Sequence, residues 1–430
     1  MIDVSLLRNE PEKVKKGIAA KKADPALVDT FLELDGKWRK CVAELDALRA
    51  KQNELSKKRE VEAAKSNKEE IKKKEEEAAT LEKEREEVWG QIPNLPSDDT
   101  PIGKSEEDNK VIRSWGKTPK FDFEPLDHLA LGEKLGFIDV AHASAVAGTR
   151  FAYLKGDAVR LEFALVQFTL ETLTDEAKLA AIAKKAGVDA SAKPFVPVVP
   201  PVMVRPDVLR KMARLEPVDD RFYLPKDDLF LAGSAEHTLG PLHMDDVIRE
   251  ELLPVRYLGF STSFRRESGS YGKDTRGIIR VHQFDKLEME SFTAPEHSFA
   301  EHDFFVAIQE HLMQQLEIPY QVVAVCTGDM GGPDTKQTDI EAWMPGQGKY
   351  RETHTADLMT DYQARRLGTK VRRPDGKTEF AHMNDATAFA IGRTLVAIFE
   401  NYQTKEGAIR VPKVLQKYIG KEIIGKEVIT

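Results

Sequence analysis

The residues best suited to chemistry lie in the stretch 264–289, which reads FRRESGSYGKDTRGIIRVHQFDKLEM. It begins with two arginines and a glutamate, passes through a polar loop, and returns from Arg280 to Phe284. Small residues let a backbone approach a polyanion closely, and cations can then meet its charge. The loop therefore predicts a phosphate site, although a surface hairpin would also explain its glycines and cations, Gly269, Gly272, Lys273, Arg276 and Gly277.

The apolar residues on either side of the loop predict two strands. Residues 257–260 come before it, and Ile278, Ile279 and Phe284 come after it. Arg265 and Glu267 stand next to the first strand, where burial requires partners for their charges. A surface hairpin explains these charges poorly.

Three further segments place polar residues at predicted strand ends. Glu236 follows a predicted strand at Phe230 and Leu231, and a buried glutamate needs a cation or hydrogen-bond donors. Glu352 and Thr355 offer oxygen atoms of the kind that hard cations prefer. For the Glu236 segment the alternative is a surface loop. For the segment with Glu352 and Thr355 the alternative is an exposed strand end. His354 has no recognisable metal-ligand spacing and is interpreted as a surface residue.

The third of these segments is 384–402, where small residues alternate before Arg393. Ala388, Ala390 and Gly392 permit close approach of a purine or of sheet backbone, and Arg393 can reach a phosphate. The apolar run that follows predicts a helix.

Composition limits the classes of protein that fit this chain. Its 430 residues allow two to three domains, and 32% charged against 41% hydrophobic residues indicates that part of it is solvated and elongated. A net charge of −8 argues against a uniformly basic nucleic-acid binder. Two distant cysteines argue against a zinc motif or a disulfide framework, and the absence of a signal peptide or an 18-residue apolar run predicts a cytoplasmic protein.

Residues 27–92 predict an antiparallel coiled-coil hairpin on the order of 45 Å long, at about 1.5 Å per residue. Its first seam runs from Trp38 to Leu55 at heptad spacing, and Ser66-Asn67 offers the turn at its tip. A second, thinner seam runs from Ile71 to Ile92. Residues 51–75 hold nine Lys/Arg against six Glu, which is consistent with a solvated helix face or with RNA contact.

Beyond the hairpin, residues 93–125 are interpreted as a linker. Strands and helices then alternate without a regular parallel repeat, so the sequence favours an α+β fold with a mixed, mainly antiparallel sheet. A helix within 151–173 leads to a proline-containing strand, and residues 174–193 predict an inserted helix with no assigned function.

Together these segments resemble the seryl-tRNA synthetases, a family of class II aminoacyl-tRNA synthetases. The run from Phe264 to Glu288, ending in H-Q-F-x-K-x-E, is similar to motif 2 and is the most specific part. Segment 231–243 resembles the family's T-x-E loop, with Ser234 in place of threonine. Motif 3 departs from the family, because N-G-S-G is replaced by Asp385-Ala386-Thr387-Ala388.

The resemblance covers nearly the whole chain and implies its organisation. A tRNA-binding helical arm is expected at 1–102, with the hairpin at about 27–92. A class II catalytic domain is expected at 103–430, with motif 1 at about 151–204, motif 2 at about 255–290 and motif 3 at about 384–402. In class II enzymes motif 1 forms the interface of a homodimer.

The resemblance also implies an activity. The expected reaction activates L-serine with ATP and Mg²⁺ to seryl-adenylate and transfers the seryl group to the 3′ end of tRNA-Ser, with tRNA-Sec as a further candidate. No zinc, membrane or DNA partner is expected. The alternatives are a synthetase-like ligase that loads an amino acid onto a carrier protein, and a non-catalytic RNA-binding relative.

Site residues follow from the resemblance position by position. Arg265 and Arg393 would be catalytic, and Glu352 and Thr355 would bind magnesium. The residues implied to bind serine are Ser234, Ala235, Glu236, Arg265, Glu288 and Thr387. The residues implied to bind ATP are Arg265, Arg266, Glu267, Arg280, Val281, Phe284, Glu352, Thr353, His354, Thr355 and Arg393.

Overall fold

The computed structural model describes residues 1–268 and 276–425, so Gly269, Gly272 and Lys273 of the predicted phosphate loop lie outside the described residues. The chain forms two compact units, Met1–Ser97 and Asp98–Thr430. The domain limits given above, 1–102 and 103–430, stay predictions.

The first unit is a helical arm, as the sequence predicts. Two short helices, α1 (Val4–Asn9) and α2 (Pro11–Ala20), precede two long ones, α3 (Ala26–Lys58) and α4 (Val61–Gln91). The long helices run antiparallel, because Trp38 of α3 contacts Arg85 of α4 (4.3 Å from ring centre to guanidinium carbon), whereas Gln52, later on α3, contacts Asn67, earlier on α4, at 2.9 Å. The predicted coiled-coil hairpin is confirmed.

The predicted tip of the hairpin is wrong. The chain turns at Arg59, which has a left-handed backbone (φ 61°), and not at Ser66-Asn67. Asn67 lies inside α4 and is buried, and its amide donates to the Leu48 carbonyl oxygen at 3.0 Å and to Gln52 Oε1 at 2.9 Å. Asparagine in a polar-rich segment favours a turn locally, but here the facing helix satisfies its side chain.

The second unit, described to residue 425, is an α+β domain. Its helices are α5 (His128–Lys134), α6 (Val140–Ala147), α7 (Asp157–Leu173), α8 (Glu176–Ala186), α9 (Pro206–Lys211), α10 (Glu236–Leu239), α11 (Ser298–Gln315), α12 (Tyr362–Leu367), α13 (Ile391–Tyr402) and α14 (Gln416–Ile419). Its strands are β1 (Lys110–Trp115), β2 (Ile138–Asp139), β3 (Tyr153–Leu154), β4 (Val196–Val198), β5 (Met203–Val204), β6 (Tyr223–Leu224), β7 (Leu229–Leu231), β8 (Val247–Arg249), β9 (Val255–Phe264), β10 (Gln283–Thr293), β11 (Tyr320–Ala324), β12 (Lys336–Met344), β13 (Lys349–Thr360), β14 (Lys370–Arg372), β15 (Thr378–Phe380), β16 (His382–Ala390), β17 (Ile409–Arg410) and β18 (Ile423–Ile424).

Eight strands form the central sheet, in the order β1-β11-β12-β13-β16-β10-β9-β4. Every neighbouring pair is antiparallel except β4 and β9, which are parallel. The predicted mixed, mainly antiparallel sheet is therefore confirmed. The linker interpretation of 93–125 is wrong for residues 110–115, because β1 pairs with β11 at one edge of the sheet.

Helices α7, α11 and α13 contribute buried apolar residues to one core cluster with the sheet. The predicted insertion does form a helix, α8, which Asp175 caps at its N-terminus and Gly187 ends in a left-handed conformation. Its buried residues Leu179 and Ile182 join the same core. None of the helices within residues 1–268 and 276–425 combines the length and the apolarity that crossing a membrane requires.

Candidate active site

A polar cavity of about 280 Å³ opens on one face of the central sheet. Strands β10, β13 and β16 supply its floor, and the segments after β9 and before β10 supply its rim. Its charged lining residues are Arg214, Glu236, Arg265, Glu267, Arg280, Lys286, Glu288, Glu352, Asp357, Asp385 and Arg393.

Strand alternation explains which side chains reach this face. Successive residues of a strand point to opposite faces, and directly paired residues of neighbouring strands share a face. Glu288 pairs with Thr387 across β10 and β16. Two residues further along, Glu290 pairs with Asp385, which also pairs with Asp357 of β13. One face of three adjacent strands therefore carries carboxyl and hydroxyl groups.

Three arginines line one side of the cavity. Arg265 donates from Nε to the Gly233 carbonyl oxygen at 2.9 Å, and its guanidinium carbon lies 5.6 Å from the centre of the Phe284 ring. Arg280 forms an ion pair with Glu267 at 2.5 Å. Arg393 donates to Glu352 Oε1 at 2.7 Å. Each guanidinium is held in place by a partner, which reduces the entropy lost when it binds an anion.

The electrostatics keep Glu352 ionised. Desolvation by the surrounding protein would raise the pKa of this half-exposed carboxyl, but Arg393 and Arg265 outweigh it and hold the pKa below its ordinary value. Thr355 lies on the same strand and lines the same cavity. This side of the cavity therefore offers fixed cations together with an ionised carboxylate and a hydroxyl.

The opposite side is centred on Glu288. It accepts hydrogen bonds from the hydroxyls of Thr387 at 3.2 Å and Ser234 at 3.3 Å, and it pairs with Lys286 at 2.6 Å. Burial raises the pKa of Glu288 although Lys286 opposes the shift. The result is a small buried polar pocket that can exchange hydrogen bonds with a hydroxyl group.

Glu236 reaches the same pocket from α10. Its Oε1 lies 3.0 Å from Arg214 Nε. Burial would raise the pKa of Glu236, but Arg214 and other nearby cations outweigh burial and bring the pKa to about 2. Glu236 is therefore an anion that can receive an ammonium group.

His237 of α10 holds the loop that precedes this helix. The Gly233 amide donates to His237 Nδ1 at 3.1 Å, and the same glycine accepts from Arg265. Burial lowers the pKa of His237 to about 3, so the ring is neutral and can accept this bond. Gly233 thus connects the arginine side of the cavity with the Glu236 side.

The segment with Gly277 and Ile278, before β10, is anchored by α5. Gly277 has φ 77°, and a Cβ atom there would lie 2.0 Å from His128 Nε2. His128 Nε2 accepts from the Ile278 amide at 3.3 Å, and Glu400 contacts the other ring nitrogen. Only glycine fits this close approach, which explains one of the glycines in the motif.

Not every residue implied by the resemblance lines the cavity. The guanidinium carbon of Arg266 lies 4.4 Å from the centre of the Phe222 ring, away from the cavity. His354 is buried and packs against Phe389, with ring centres 5.6 Å apart, so its interpretation as a surface residue is wrong. Ser234 and Ala235 are buried behind the lining, and Ser234 acts through its bond to Glu288.

The sequence reasoning did not assign four charged residues of the lining to the site, and these are Arg214, Lys286, Asp357 and Asp385. Asp357 lies two residues after Thr355 on β13, and Lys286 lies two residues before Glu288 on β10, so strict alternation was the available signal for both. Arg214 lies just beyond α9 in a segment without periodicity or motif, and nothing in its sequence neighbourhood marks it.

The comparisons with known proteins agree with this geometry. Residues 221–402 match the tRNA synthetase class II core domain (G, H, P, S and T), and residues 1–96 match the seryl-tRNA synthetase N-terminal domain. The serine–tRNA ligase of Acidothermus cellulolyticus is 42% identical over 436 residues, covering 99% of both chains.

Two solved structures are similar over nearly their full length. The seryl-tRNA synthetase of Pyrococcus horikoshii, complexed with ATP, has a TM-score of 0.89 at 36% identity and covers 99% of both chains. The cytoplasmic serine–tRNA ligase of Naegleria fowleri, complexed with AMP, has a TM-score of 0.86 at 33% identity and covers 99% of this chain and 98% of its own.

Sheet, motifs and cavity together define a class II aminoacyl-tRNA synthetase core. The arm matches the N-terminal domain of the seryl-tRNA synthetases, and the relatives match over nearly their full length. The chain therefore belongs to the seryl-tRNA synthetase family, whose members are ATP-dependent serine–tRNA ligases.

Proposed function

We propose that this chain activates L-serine with ATP to seryl-adenylate and transfers the seryl group to the 3′ end of tRNA-Ser in the cytoplasm. The observation that carries the proposal is the two-sided cavity. Fixed arginines and an ionised carboxylate lie on one side, and a small pocket built around Glu288 and Glu236 lies on the other.

Activation requires a carboxylate oxygen of serine to attack the α-phosphorus of ATP while pyrophosphate leaves. Negative charge on the phosphoryl oxygens is best stabilised by cations that are already in position. Arg265 is assigned to the α-phosphate and Arg393 to the γ-phosphate, with Arg280 on the outer phosphates. Phe284 would stack on adenine, beside Val281 in the lining. Glu267 would accept from the adenine amino group or from the acceptor end of the tRNA.

The donor set near Arg393 fits a magnesium ion. The Glu352 carboxylate and the Thr355 hydroxyl line one cavity, and both are hard oxygen donors. These two residues would hold Mg²⁺, which neutralises phosphate charge when bound. Nucleotide binding would require Arg393 to exchange its 2.7 Å contact with Glu352 for a phosphate oxygen.

Serine is assigned to the opposite pocket. Its ammonium group would face Glu236, and its hydroxyl would bond with Glu288 and Thr387. Alanine would leave these buried groups unpaired, which costs a large fraction of the activation rate. Threonine would be limited by the space around Thr387.

The arm is assigned to tRNA. Lysines and arginines dominate residues 51–75, and most of these side chains are exposed. Contacts of this kind are made to phosphates and weaken with salt. tRNA-Sec is a further candidate for the same surface.

The homodimer is assigned to the motif 1 region. Large apolar residues are exposed there, including Phe163 on α7 and Val196 and Val199 in and after β4. Large apolar side chains left exposed in this way fit a protein interface.

Pyrophosphate exchange followed by tRNA charging tests the function. We expect exchange with serine, little with threonine or alanine, and charging of tRNA-Ser. Exchange without charging would support a carrier-protein ligase, and no exchange with any of the three amino acids would support a non-catalytic RNA-binding protein.

A further inference from the structure

Arg214 reaches the amino-acid side of the cavity from the segment that follows α9. Its neighbour Ala213 has a left-handed backbone (φ 54°). The Arg214 amide donates to the Leu209 carbonyl oxygen at 3.0 Å, and the Arg214 carbonyl oxygen accepts from Arg221 Nε at 3.1 Å. The side chain of Arg214 is 15% exposed and lines the cavity. The backbone is therefore held on both sides, which limits the positions that the guanidinium can take.

Four buried carboxyl groups from separate parts of the fold surround this guanidinium. They belong to α10, to β16, to β13 and to the segment before β12. The shortest contact joins Arg214 Nε to Glu236 Oε1 at 3.0 Å. The distances to the others are 3.3 Å for Asp385 and 3.5 Å for both Asp357 and Asp334.

These carboxyl groups differ in their charge. Burial raises the pKa of Asp385 and of Asp357 well above the ordinary value although Arg214 opposes the shift, so burial favours their uncharged form. Burial also raises the pKa of Glu290, which pairs with Asp385 across the strands. Glu236 behaves differently, because the cations outweigh its burial and bring its pKa to about 2. The positive charge of Arg214 therefore acts most effectively on Glu236.

The other basic groups that act on Glu236 are His237, Lys286, Arg265 and Arg221. The His237 ring lies 3.7 Å away, but burial lowers its pKa to about 3, so the ring is neutral at pH 7. Lys286 pairs with Glu288 at 2.6 Å, and Arg221 pairs with Asp220 at 3.2 Å. Arg265 is assigned to the α-phosphate of ATP. Arg214 is therefore the main cation that keeps Glu236 ionised.

The ion pair also directs the Glu236 carboxylate. Oε1 faces Arg214, and Glu236 lines the cavity, so Oε2 is left for an ammonium group. An opposite charge at this distance favours the ionised carboxyl by a factor of about 10 to 1,000. Hydrogen bonds between two charged groups are stronger than those to a neutral acid. An ionised Glu236 therefore binds the ammonium group better than a protonated one.

We propose that Arg214 is a positioning residue for amino-acid activation, which keeps Glu236 ionised and directs its second oxygen at the substrate ammonium group. Arg214 acts through Glu236 and does not touch the reacting atoms. The inference rests on the proposed function, because it requires serine to bind at Glu236.

Serine-dependent pyrophosphate exchange by the full-length protein at pH 8 and pH 6 tests this role. Arg214→Gln removes the charge, so the Glu236 carboxyl should take up a proton as the pH falls. The KM for serine, divided by the wild-type KM at the same pH, should therefore be about tenfold larger at pH 6 than at pH 8. The KM for ATP should stay at the wild-type value. Arg214→Lys keeps the charge, and its KM ratio for serine should be equal at the two pH values.

Chemical rescue separates the charge of Arg214 from its bulk. Arg214→Ala leaves space for a small cation, so guanidinium ions should lower its KM for serine, and tetramethylammonium at the same concentration should not. The matched control is Arg366→Gln. Arg366 donates to the carbonyl oxygens of Lys211 and Arg210 and so supports the same end of α9. Arg366→Gln should lower the melting temperature and leave the KM for serine unchanged at both pH values.

Three results would overturn the role of Arg214. The first is a wild-type KM for serine in Arg214→Gln, and the second is a KM ratio in this variant that is the same at both pH values. The third decides the matter if Arg214→Gln does not fold: a KM ratio that rises towards pH 6 in Arg214→Lys. Absence of serine-dependent exchange in the wild-type protein would instead overturn the proposed function, so the two failures are distinguishable.

Discussion

At the scale of single residues, the structure assigns different positions to two neighbouring arginines whose roles the sequence alone cannot distinguish. Arg265 lines the cavity and is held by Gly233, whereas Arg266 stacks on Phe222 outside it. Side chains next to each other on an extended chain point in opposite directions. Their contributions to catalysis should therefore differ strongly.

Arg265→Ala should lower the rate of serine-dependent pyrophosphate exchange by about 10²–10³, the usual cost of losing one preorganised donor to a developing charge. Arg266→Ala is the matched control and should stay within about threefold of the wild type. Steady-state exchange kinetics measure both. Equal losses in the two variants would show that the geometry of the cavity has been misinterpreted.

A buried histidine gives the fold a pH dependence. Burial lowers the pKa of His354 to about 3, against an ordinary value of about 6.5. The unfolded chain therefore binds a proton that the folded chain excludes, so stability is fully present above pH 6.5 and falls as the pH drops towards 3.

Chemical denaturation at pH 7 and pH 4.5 measures this effect. His354→Gln should reduce the stability lost between the two pH values by at least about 1 kcal/mol, since a difference of one between two pKa values corresponds to about 1.4 kcal/mol. An unchanged pH dependence in His354→Gln would contradict a neutral buried ring.

At the scale of secondary-structure elements, alternation and heptad spacing predicted most of what positions the site. The segments that carry Glu288, Thr355 and Thr387 were found from the apolar flanks of the loop, from the alternating small residues before Arg393 and from the resemblance. Arg214 could not be found, because it belongs to no periodic element and reaches the cavity only through the tertiary fold. The tip of the hairpin was misplaced because local turn preference was weighed without the facing helix.

Asn67 provides a test of that correction. Asn67→Ala leaves the Leu48 and Gln52 partners without its amide and should destabilise the helix pair by about 1–3 kcal/mol. Hydrogen exchange of the full chain should show faster exchange in the facing stretches of α3 and α4. Ser66→Ala, one residue away and exposed, is the control. Equal stability and equal hydrogen exchange in the two variants would contradict the buried position of Asn67 and favour the turn at Ser66-Asn67.

The outer arm can be removed at a level that the structure defines. Replacing residues 45–73 with a short glycine-rich linker between Glu44 and Lys74, whose side chains already form an ion pair at 2.8 Å, should preserve the pairing of the remaining helices. Pyrophosphate exchange should be retained, while the KM for tRNA-Ser should rise at least tenfold. Charging at wild-type KM would show that the arm does not bind tRNA.

At the scale of the whole molecule, the two units divide the proposed work. The second unit holds the cavity in a sheet packed against helices, and the arm carries the basic surface. The sequence predicted this division because the amino-acid composition of the arm differs from that of the rest of the chain. It could not predict the row of paired acidic residues Glu290, Asp385 and Asp357, which three separate strands bring together.

The exposed apolar surface around motif 1 makes the oligomeric state testable. Phe163→Glu places a charge on an exposed apolar residue of α7 and should shift a dimer towards monomer in light scattering. Ala181→Glu, at an exposed position of α8, is the control for added charge on a different helix. A monomeric wild-type protein would contradict the homodimer.

The account depends most on a cavity that holds a nucleotide phosphate beside a small hydroxylated amino acid. A crystal structure with a non-hydrolysable seryl-adenylate analogue tests this directly. We predict the phosphate mimic against Arg265 and the seryl hydroxyl between Glu288 and Thr387. An analogue bound elsewhere, with this cavity unchanged, would contradict the account.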